Sequence, residues 1–289
     1  MFTDCAEHRM IEDELAALAG ELPKAGLGEV IRYVLSTPGK RMRPLILIFS
    51  SEAFGGDAAF SMNAALAIEL VHAASLVHDD ILDQGIERRG APSTAKRYGV
   101  NAALLCGDYL ISRSIELISW YSQSVIDTFS KACMDMSLGE MLDLSRSNST
   151  DDYYLSIRKK TASLFAASAK IGSLIAGAPE EDAINFERYG IHLGMAYQIM
   201  DDLREYMGID QGKRSLRRSV TLPELYGKIY SMETALKLTL SAISDNSCCA
   251  KSALAIAGGD EKIKESLASI VDQMTTNWVD ECELLKNLY

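Results

Sequence analysis

The amino-acid sequence predicts an all-α protein, a single large helical bundle that spans residues 1–289. Apolar residues recur with the helical period along most of the chain. The one strand-like run, residues 45–49, has no partner strands nearby, so we expect it to be helical. The chain has only six prolines, with no low-complexity linker and no short-period repeat to mark a domain boundary. Several predicted helices are apolar on more than one face, which is typical of helices in the middle of a bundle.

The first half of the chain predicts three long helices in succession. Asp57 is the expected N-cap of the first, which covers about residues 58–83. Asn101 begins the second, and Ser122 caps a third that runs to about residue 144.

The second half predicts two further long helices and a helical C-terminal region. Asp151 or Asp152 begins a fourth helix, which ends near residues 172–177. Pro179 stands where a first-turn proline belongs and begins a fifth, which reaches about residue 206. Helical periodicity resumes at Pro223, with expected breaks near Asp245 and at Gly258 and Gly259.

Composition limits the possible partners. Hydrophobic residues make up 48% of the chain and charged residues 24%, the balance of a folded globular protein. The formal net charge of −11 argues against nucleic-acid binding, because phosphate contacts require a basic face. An anionic protein can still bind phosphate groups where its few cations are gathered together.

The cysteines and the apolar segments predict a cytoplasmic protein. None of the six cysteines has C-x₂-C spacing, which disfavours a zinc site and a disulfide framework. The acidic N-terminus shows no signal peptide. The most apolar stretch, residues 64–77, is interrupted by Glu69 and His72 and is short for a membrane span. We therefore expect no transmembrane segment.

Asp79, Asp80 and Asp83 form a first aspartate cluster at the end of the first long helix. Asp79 and Asp83 are four residues apart and therefore share one helix face. Carboxylates stacked in this way repel each other, and the helix macrodipole disfavours them at a C-terminal end. A bound divalent cation would compensate for both effects; a solvated acidic face is the alternative.

A second acidic cluster ends the fifth long helix, about 120 residues further on. Asp201 and Glu205 are again four residues apart, with Asp202 beside them. Magnesium prefers oxygen ligands and is commonly held by one or two carboxylates together with substrate phosphates. The two clusters therefore suggest a metal-bridged diphosphate between two helices.

Three basic groups accompany the acidic clusters. Residues 40–43 carry three cations in four positions, Arg88 and Arg89 follow the first cluster, and Lys159 and Lys160 lie on the fourth helix. Each group alone could be a solvated surface patch. Together they supply the positive charge that two diphosphates need.

These residues resemble the trans-isoprenyl diphosphate synthases, the polyprenyl synthetase family, over nearly the whole chain. The resembling segments are GKRMRP (39–44), IELVHAASLVHDDILD (68–83), RRGAP (88–92), GDYL (107–110), GEMLDL (139–144), KKTASLF (159–165) and GMAYQIMDD (194–202). The resemblance implies an all-α bundle of the isoprenoid synthase type, with the active site in the central cavity. It implies head-to-tail condensation of isopentenyl diphosphate with an allylic diphosphate, namely geranyl, farnesyl or geranylgeranyl diphosphate.

The resemblance also implies roles for individual residues. Asp79, Asp80, Asp83, Lys160, Thr161 and Gln198 fall in its catalytic set. The isopentenyl diphosphate contacts correspond to Lys40, Arg43, His72 and Arg89, and the allylic diphosphate contact corresponds to Arg88. About three Mg²⁺ ions would be held by Asp79, Asp83 and Asp201, with Glu205 within reach of a metal or its waters.

The second cluster and the loop after it depart from the family pattern. The cluster reads DDLRE where the family usually has DDxxD. The loop at residues 208–220 is short, and Ser219 falls near the position of a usual lysine. We expect Lys213 to supply the other lysine of that loop, as a substrate contact.

Two alternative functions remain open at this point. A catalytically impaired partner subunit of an active synthase would explain the short loop, but the intact isopentenyl diphosphate residues oppose it. A terpene cyclase or head-to-head synthase shares aspartate clusters, but it lacks a GKRxRP segment.

The sequence also bears on product length and on assembly. Ser75 and Ala74 precede Asp79 by four and five residues, one helical turn deeper. Family members that make products of fifteen or twenty carbons often carry an aromatic ring at the fifth position. Alanine there leaves room for a product longer than twenty carbons, and a short-chain synthase is the alternative. The resemblance also implies a homodimer.

Overall fold

The protein is described by a computed structural model that covers residues 5–145, 149–209, 213–215 and 219–276. Thirteen α-helices are present in this described part: α1 Ala6–Glu21, α2 Leu27–Leu35, α3 Met42–Glu52, α4 Ala58–Leu82, α5 Thr94–Tyr98, α6 Val100–Ile118, α7 Gln123–Leu144, α8 Thr150–Ile157, α9 Ser163–Ile175, α10 Glu180–Tyr206, α11 Leu222–Gly227, α12 Met232–Ile256 and α13 Glu261–Val271. π-helical turns occupy Arg158–Ala162 and Asp272–Thr276. The predicted all-α class is confirmed.

The α4 helix lies at the centre of the bundle, packed mainly against α3 and α6. It begins where the sequence predicted, because the Asp57 carboxylate accepts a hydrogen bond from the Ala59 backbone N–H at 2.8 Å. By length and composition it could cross a membrane, but 72% of its most apolar window is buried inside the protein. Its apolar surface is accounted for by the core.

The strand-like run at residues 45–49 is helical, as expected, and forms the core of α3. Leu45, Ile46, Leu47 and Ile48 are all fully buried. A helix buried on every side shows no amphipathic period, which is why this run resembles a strand in the sequence. Gly172 on α9 lies directly against the Leu47 carbonyl, so the two helices approach each other closely.

Three boundaries differ from the sequence predictions. The fourth predicted helix is interrupted by the π-helical turn Arg158–Ala162. Pro179 precedes α10 as its N-cap residue and is not in its first turn. No break occurs near Asp245, because this side chain is exposed and α12 continues past it to Ile256. The predicted break at Gly258 and Gly259 is confirmed.

A small antiparallel sheet follows α4, which the sequence did not predict. It has the strand order β2-β1-β3, with β1 Gly85–Arg88, β2 Ala91–Pro92 and β3 Lys213–Ser215. Arg89 and Gly90 form the two-residue turn between β1 and β2, with φ of 54° and 78°. Positive φ at both positions is the mark of a type I′ hairpin. This hairpin brings two arginines back over the end of α4.

Candidate active site

The first aspartate cluster is held in place by the hairpin. Asp80 is buried and accepts two hydrogen bonds from Arg88, each 2.9 Å long. Burial alone would lower the pKa of Arg88, but the Asp80 carboxylate, with Asp79 and Asp83 behind it, raises that pKa. In this structure Asp80 therefore orients Arg88, and Asp79 and Asp83 remain the cluster's candidates for binding a cation.

A second basic group gathers around His72, about two helical turns before the cluster on α4. Arg43 Nη1 lies 3.1 Å from His72 Nε2, and the Arg43 guanidinium lies 4.2 Å from the centre of the Phe165 ring. Burial lowers the pKa of His72 well below its ordinary value, and the nearby arginines lower it further. Neutral His72 can thus accept a hydrogen bond from Arg43. The predicted contacts Arg43 and His72 are neighbours.

The three basic residues of the segment 40–43 do not share one role. Lys40 is exposed, whereas Arg41 is buried with φ of 47°. Arg41 forms ion pairs of 2.7 Å with Glu12 and with Glu69. It is a structural residue that anchors the loop to α1 and α4, which the sequence pattern alone did not distinguish from a substrate contact.

Gly39 explains how the loop and the hairpin meet. A Cβ atom at Gly39 would lie 2.9 Å from Arg89 Nη1 and 3.0 Å from Arg41 Nη1, so any larger residue would require these arginine side chains to shift. Arg89 also donates a 2.7 Å hydrogen bond to the Pro38 carbonyl. Burial lowers the pKa of Arg89, and so does the neighbouring charge of Arg88. Arg43 and Arg89 both act on the charge of His72, so these three predicted isopentenyl diphosphate contacts lie near one another.

The π-helical turn carries Lys160 and Thr161. Lys160 Nζ lies 2.5 Å from Glu140 and 2.7 Å from Asp143, both on α7. Burial opposes its charge, but Asp79, Asp143 and Glu140 together raise the pKa of Lys160. Asp79 is therefore close enough to act on Lys160 across the space between α4 and α7. A π-turn at such a place is typical of a functional site.

Glycines let two helices close around the π-turn. A Cβ atom at Gly139 on α7 would overlap the Lys160 backbone, and one at Gly194 on α10 would lie 2.5 Å from Ala162 Cα. These contacts fix the turn between α7 and α10. Gly139 belongs to a family-like segment, and its role here is this close approach.

Thr161, Gln198, Asp202 and Tyr153 form one hydrogen-bonded chain. Thr161 Oγ1 donates to Gln198 Oε1 at 2.7 Å, and Gln198 Nε2 donates to Asp202 Oδ1 at 2.8 Å. Tyr153 Oη donates to Asp202 Oδ2 at 2.5 Å. Burial raises the pKa of Asp202 to about 8, although the hydrogen bonds from Tyr153 and Gln198 lower it. The sequence did not single out Tyr153.

The second acidic cluster is therefore divided by function. Asp202 is buried in the hydrogen-bonded chain, whereas Asp201 is half-buried and Glu205 is exposed at the end of α10. Among the following residues, Ser219 donates a 2.9 Å hydrogen bond to Asp143. The side chain of Lys213 lies outside the described residues, and its predicted substrate contact stays a prediction.

The donor set fits magnesium that is held together with a substrate. Asp79, Asp83, Asp201 and Glu205 all offer oxygen, which Mg²⁺ prefers. Within the described ranges, no three acidic, imidazole or thiol groups are gathered closely enough to hold an ion alone. Burial and the charge of Asp79 raise the pKa of Glu140, whereas its ion pair with Lys160 lowers it. A diphosphate between the clusters would complete the ligand set.

The two residues below Asp79 differ in exposure. Ser75 is half-buried, and its hydroxyl donates to the His72 carbonyl at 2.8 Å. Ala74 is fully buried in the hydrophobic core. Ser75 is therefore partly accessible one turn before Asp79, whereas Ala74 packs inside the bundle.

Known proteins resemble this chain along most of its length. Residues 24–216 match the family described as polyprenyl synthetase. A geranylfarnesyl diphosphate synthase of Methanosarcina mazei is 45% identical over 251 residues, 86% of this chain and 85% of that protein. Heptaprenyl diphosphate synthase component 2 of Geobacillus stearothermophilus is 31% identical over 98% of this chain and 89% of that protein. A solved structure of a geranyltranstransferase from Methanosarcina mazei superposes with a TM-score of 0.85 and 41% identity, over 96% of this chain and all of the other.

Proposed function

We propose that this chain, which belongs to the polyprenyl synthetase family and is a prenyltransferase, makes a trans-polyprenyl diphosphate longer than twenty carbons from isopentenyl diphosphate and an allylic diphosphate. The observation that carries the length is the small, half-buried side chain of Ser75 one turn before Asp79, which would leave room there for a growing product. The name of the Methanosarcina mazei relative, a synthase of a C25 product, supports the same length.

Positive charge from this chain would hold the two diphosphates at separate places. Arg43, His72 and Arg89, with exposed Lys40 beside them, would bind isopentenyl diphosphate. Arg88, fixed by Asp80, and Lys160 would bind the allylic diphosphate. Mg²⁺ bound to Asp79, Asp83, Asp201 and Glu205 would neutralise the charge of the leaving diphosphate.

The surroundings of the reacting carbon would suit a carbocation. Thr161 and Gln198 present neutral dipoles and no strong nucleophile. The double bond of isopentenyl diphosphate would attack the cation, and a proton would pass to the departing diphosphate. This route requires no Ser/His/Asp triad, and exclusion of water would protect the cation.

The product spectrum tests the proposed length. The enzyme would be incubated with isopentenyl diphosphate, Mg²⁺ and each of the geranyl, farnesyl and geranylgeranyl primers, and the products would be measured by mass spectrometry. We expect the major product to exceed twenty carbons. A spectrum that ends at fifteen or twenty carbons with every primer would support the short-chain alternative.

A ring at position 75 should shorten the product. In Ser75→Phe, the aromatic side chain would fill the space one turn below Asp79, about 5 Å along the helix. We expect loss of the longer products with little change in the first condensation. Ser75→Ala is the matched control and should keep the wild-type distribution.

Replacement of Ala74 separately tests the product length that the sequence predicts from this position. Ala74→Phe must displace core atoms because Ala74 is fully buried. We expect shorter products together with a lower midpoint of thermal unfolding, since overpacking typically costs about 1–3 kcal/mol. If neither the Ala74 nor the Ser75 replacement changes the products, chain growth passes elsewhere.

The name of the Geobacillus stearothermophilus relative favours a second candidate, a subunit that acts with another component. Activity of the purified chain alone decides between the two. A chain that is inactive alone but active with a second polypeptide would be such a subunit.

A homodimer in the cytoplasm is the assembly that we propose. Exposed apolar residues of α7, Met134, Leu138 and Met141, recur at spacings of four and three and form one stripe. On α6, Leu104, Leu105 and Ile115 are also exposed. A second copy of the chain would cover these surfaces.

Charge in the α7 stripe should disrupt that assembly. We expect light scattering to report a dimer for the wild type and a monomer for Leu138→Glu at micromolar concentration. Ile256→Glu, an exposed apolar position at the end of α12, is the control and should remain dimeric. A wild-type monomer would contradict the proposal.

A further inference from the structure

The hydrogen-bonded chain from Thr161 to Tyr153 has a fixed direction. A carboxylate can only accept hydrogen bonds, so the Gln198 amide must turn its Nε2 towards Asp202. Its Oε1 then faces Thr161 and accepts the hydroxyl proton of that residue. The only proton of the Thr161 hydroxyl is therefore donated to Gln198. Any further contact of Thr161 Oγ1 can use only the lone pairs of that oxygen.

Tyr153 holds the carboxyl group of Asp202 in place. The Tyr153 hydroxyl lies 2.5 Å from Asp202 Oδ2 and the Gln198 amide lies 2.8 Å from Asp202 Oδ1, so the two hydrogen bonds together fix the rotation of this carboxyl group. Without the Tyr153 hydroxyl, the carboxyl group could turn, and its bond with Gln198 would no longer hold the amide in one orientation.

Within the described part of the structure, these hydrogen-bonded residues have no other side-chain hydrogen-bond partner among themselves or their neighbours. Tyr153 and Asp202 are 6% and 7% exposed, so water does not substitute readily for the bond between them. Thr161 is also buried, at 7% exposed, in the π-turn beside Lys160. Buried polar networks of this kind fix one arrangement when every member is satisfied.

We propose that Tyr153 is a positioning residue for prenyl transfer: through Asp202 and Gln198 it holds the Thr161 hydroxyl with its lone pairs, and not its proton, towards the reacting carbon. This inference rests on the proposed carbocation chemistry. A lone pair stabilises a developing positive charge, whereas an O–H dipole of the opposite direction would oppose it. Tyr153 touches no substrate and acts only through the hydrogen bonds that link it to Thr161.

A double-mutant cycle tests the proposal. Tyr153→Phe removes the terminal hydroxyl and keeps the ring, and Thr161→Val removes the hydroxyl at the other end with the same shape. We expect Tyr153→Phe to lower kcat by about tenfold, with KM for both substrates changed less than about twofold. In the Thr161→Val background, the same replacement should change kcat less than about twofold, because the group through which it acts is gone.

Controls separate this role from stability and from the reaction itself. Tyr154→Phe is matched, since Tyr154 is the adjacent tyrosine and its hydroxyl contacts only Tyr226, at 3.3 Å, among the bonds described. It should leave kcat and KM unchanged. Thr161→Ser should restore most of the activity that Thr161→Val loses. Calorimetric affinity for isopentenyl diphosphate should be the same in all variants.

Multiplicative effects of Tyr153→Phe and Thr161→Val on kcat would overturn the proposal, and so would an equal loss in Tyr154→Phe. If Tyr153→Phe does not fold, Asp202→Leu interrupts the same chain with an apolar side chain of similar shape. In the double-mutant cycle of Asp202→Leu with Thr161→Val, we again expect a much smaller effect on kcat in the Thr161→Val background. Multiplicative effects on kcat would again overturn the proposal. An inactive wild type would instead reject the proposed function, so the two failures are distinguishable.

Discussion

Asp79→Ala is expected to lower kcat by at least about a thousandfold while the helical circular dichroism stays intact. Asp79 is one of the carboxylates of the first cluster that we propose as magnesium ligands, and Asp80 is hydrogen-bonded to Arg88. A bound metal contributes several kcal/mol of charge stabilisation in the transition state, and each ~1.4 kcal/mol corresponds to about tenfold in rate. Steady-state assays over a range of Mg²⁺ concentrations measure the effect.

The stability of this variant should change little. Asp79 lies in the last turn of α4, where the macrodipole disfavours negative charge, but its charge also favours the charged form of Lys160. Because these two effects oppose each other, we expect the midpoint of thermal unfolding of Asp79→Ala without metal to stay close to that of the wild type. Asp127→Ala, an exposed carboxylate on α7, is the control and should keep full activity. Wild-type turnover in a chelator would contradict the metal-dependent mechanism.

Arg43→Ala should raise KM for isopentenyl diphosphate by about a hundredfold. Arg43 is half-buried, burial lowers its pKa, and its buried Nε has no hydrogen-bond partner within the described part of the chain. Such a cation lacks an anion that a diphosphate would supply. Charged hydrogen bonds contribute about 1.5–3 kcal/mol, which sets the expected loss.

The effect of Arg43→Ala should be specific to one substrate. KM for the allylic diphosphate should change less than about threefold, because in the proposed arrangement Arg88 and Lys160 would bind that substrate. Arg97→Ala is the control, since Arg97 is exposed and stacks on Tyr33 and Tyr98. Equal increases in KM for both substrates would show that Arg43 serves the whole site and would contradict its assignment.

The sequence predicted the parts of this site that depend on local pattern. Asp57 caps α4, and the spacing from Asp79 to Asp83 follows from one helical turn. The strand-like run in α3 was correctly taken as helical because it lacked partner strands. These features are determined by residues close together in the chain.

The features that the sequence did not predict depend on contacts between distant segments. Arg41 has the same charge as Lys40 and Arg43, and only its contacts with Glu12 and Glu69 show that it is structural. Tyr153 lies 49 positions from Asp202, so no local spacing connects them. The π-turn lies between α7 and α10, which approach it closely at Gly139 and Gly194. Asp245 resembled a helix break, but as an exposed residue it is compatible with a continuous α12.

Extension of geranylgeranyl diphosphate by labelled isopentenyl diphosphate tests the central claim most directly. The purified chain would be supplied with this twenty-carbon primer and Mg²⁺, and labelled products would be separated by length. We predict a labelled twenty-five-carbon diphosphate that disappears when the metal is chelated. No extension of this primer, under conditions where farnesyl diphosphate is extended, would contradict the proposed product length.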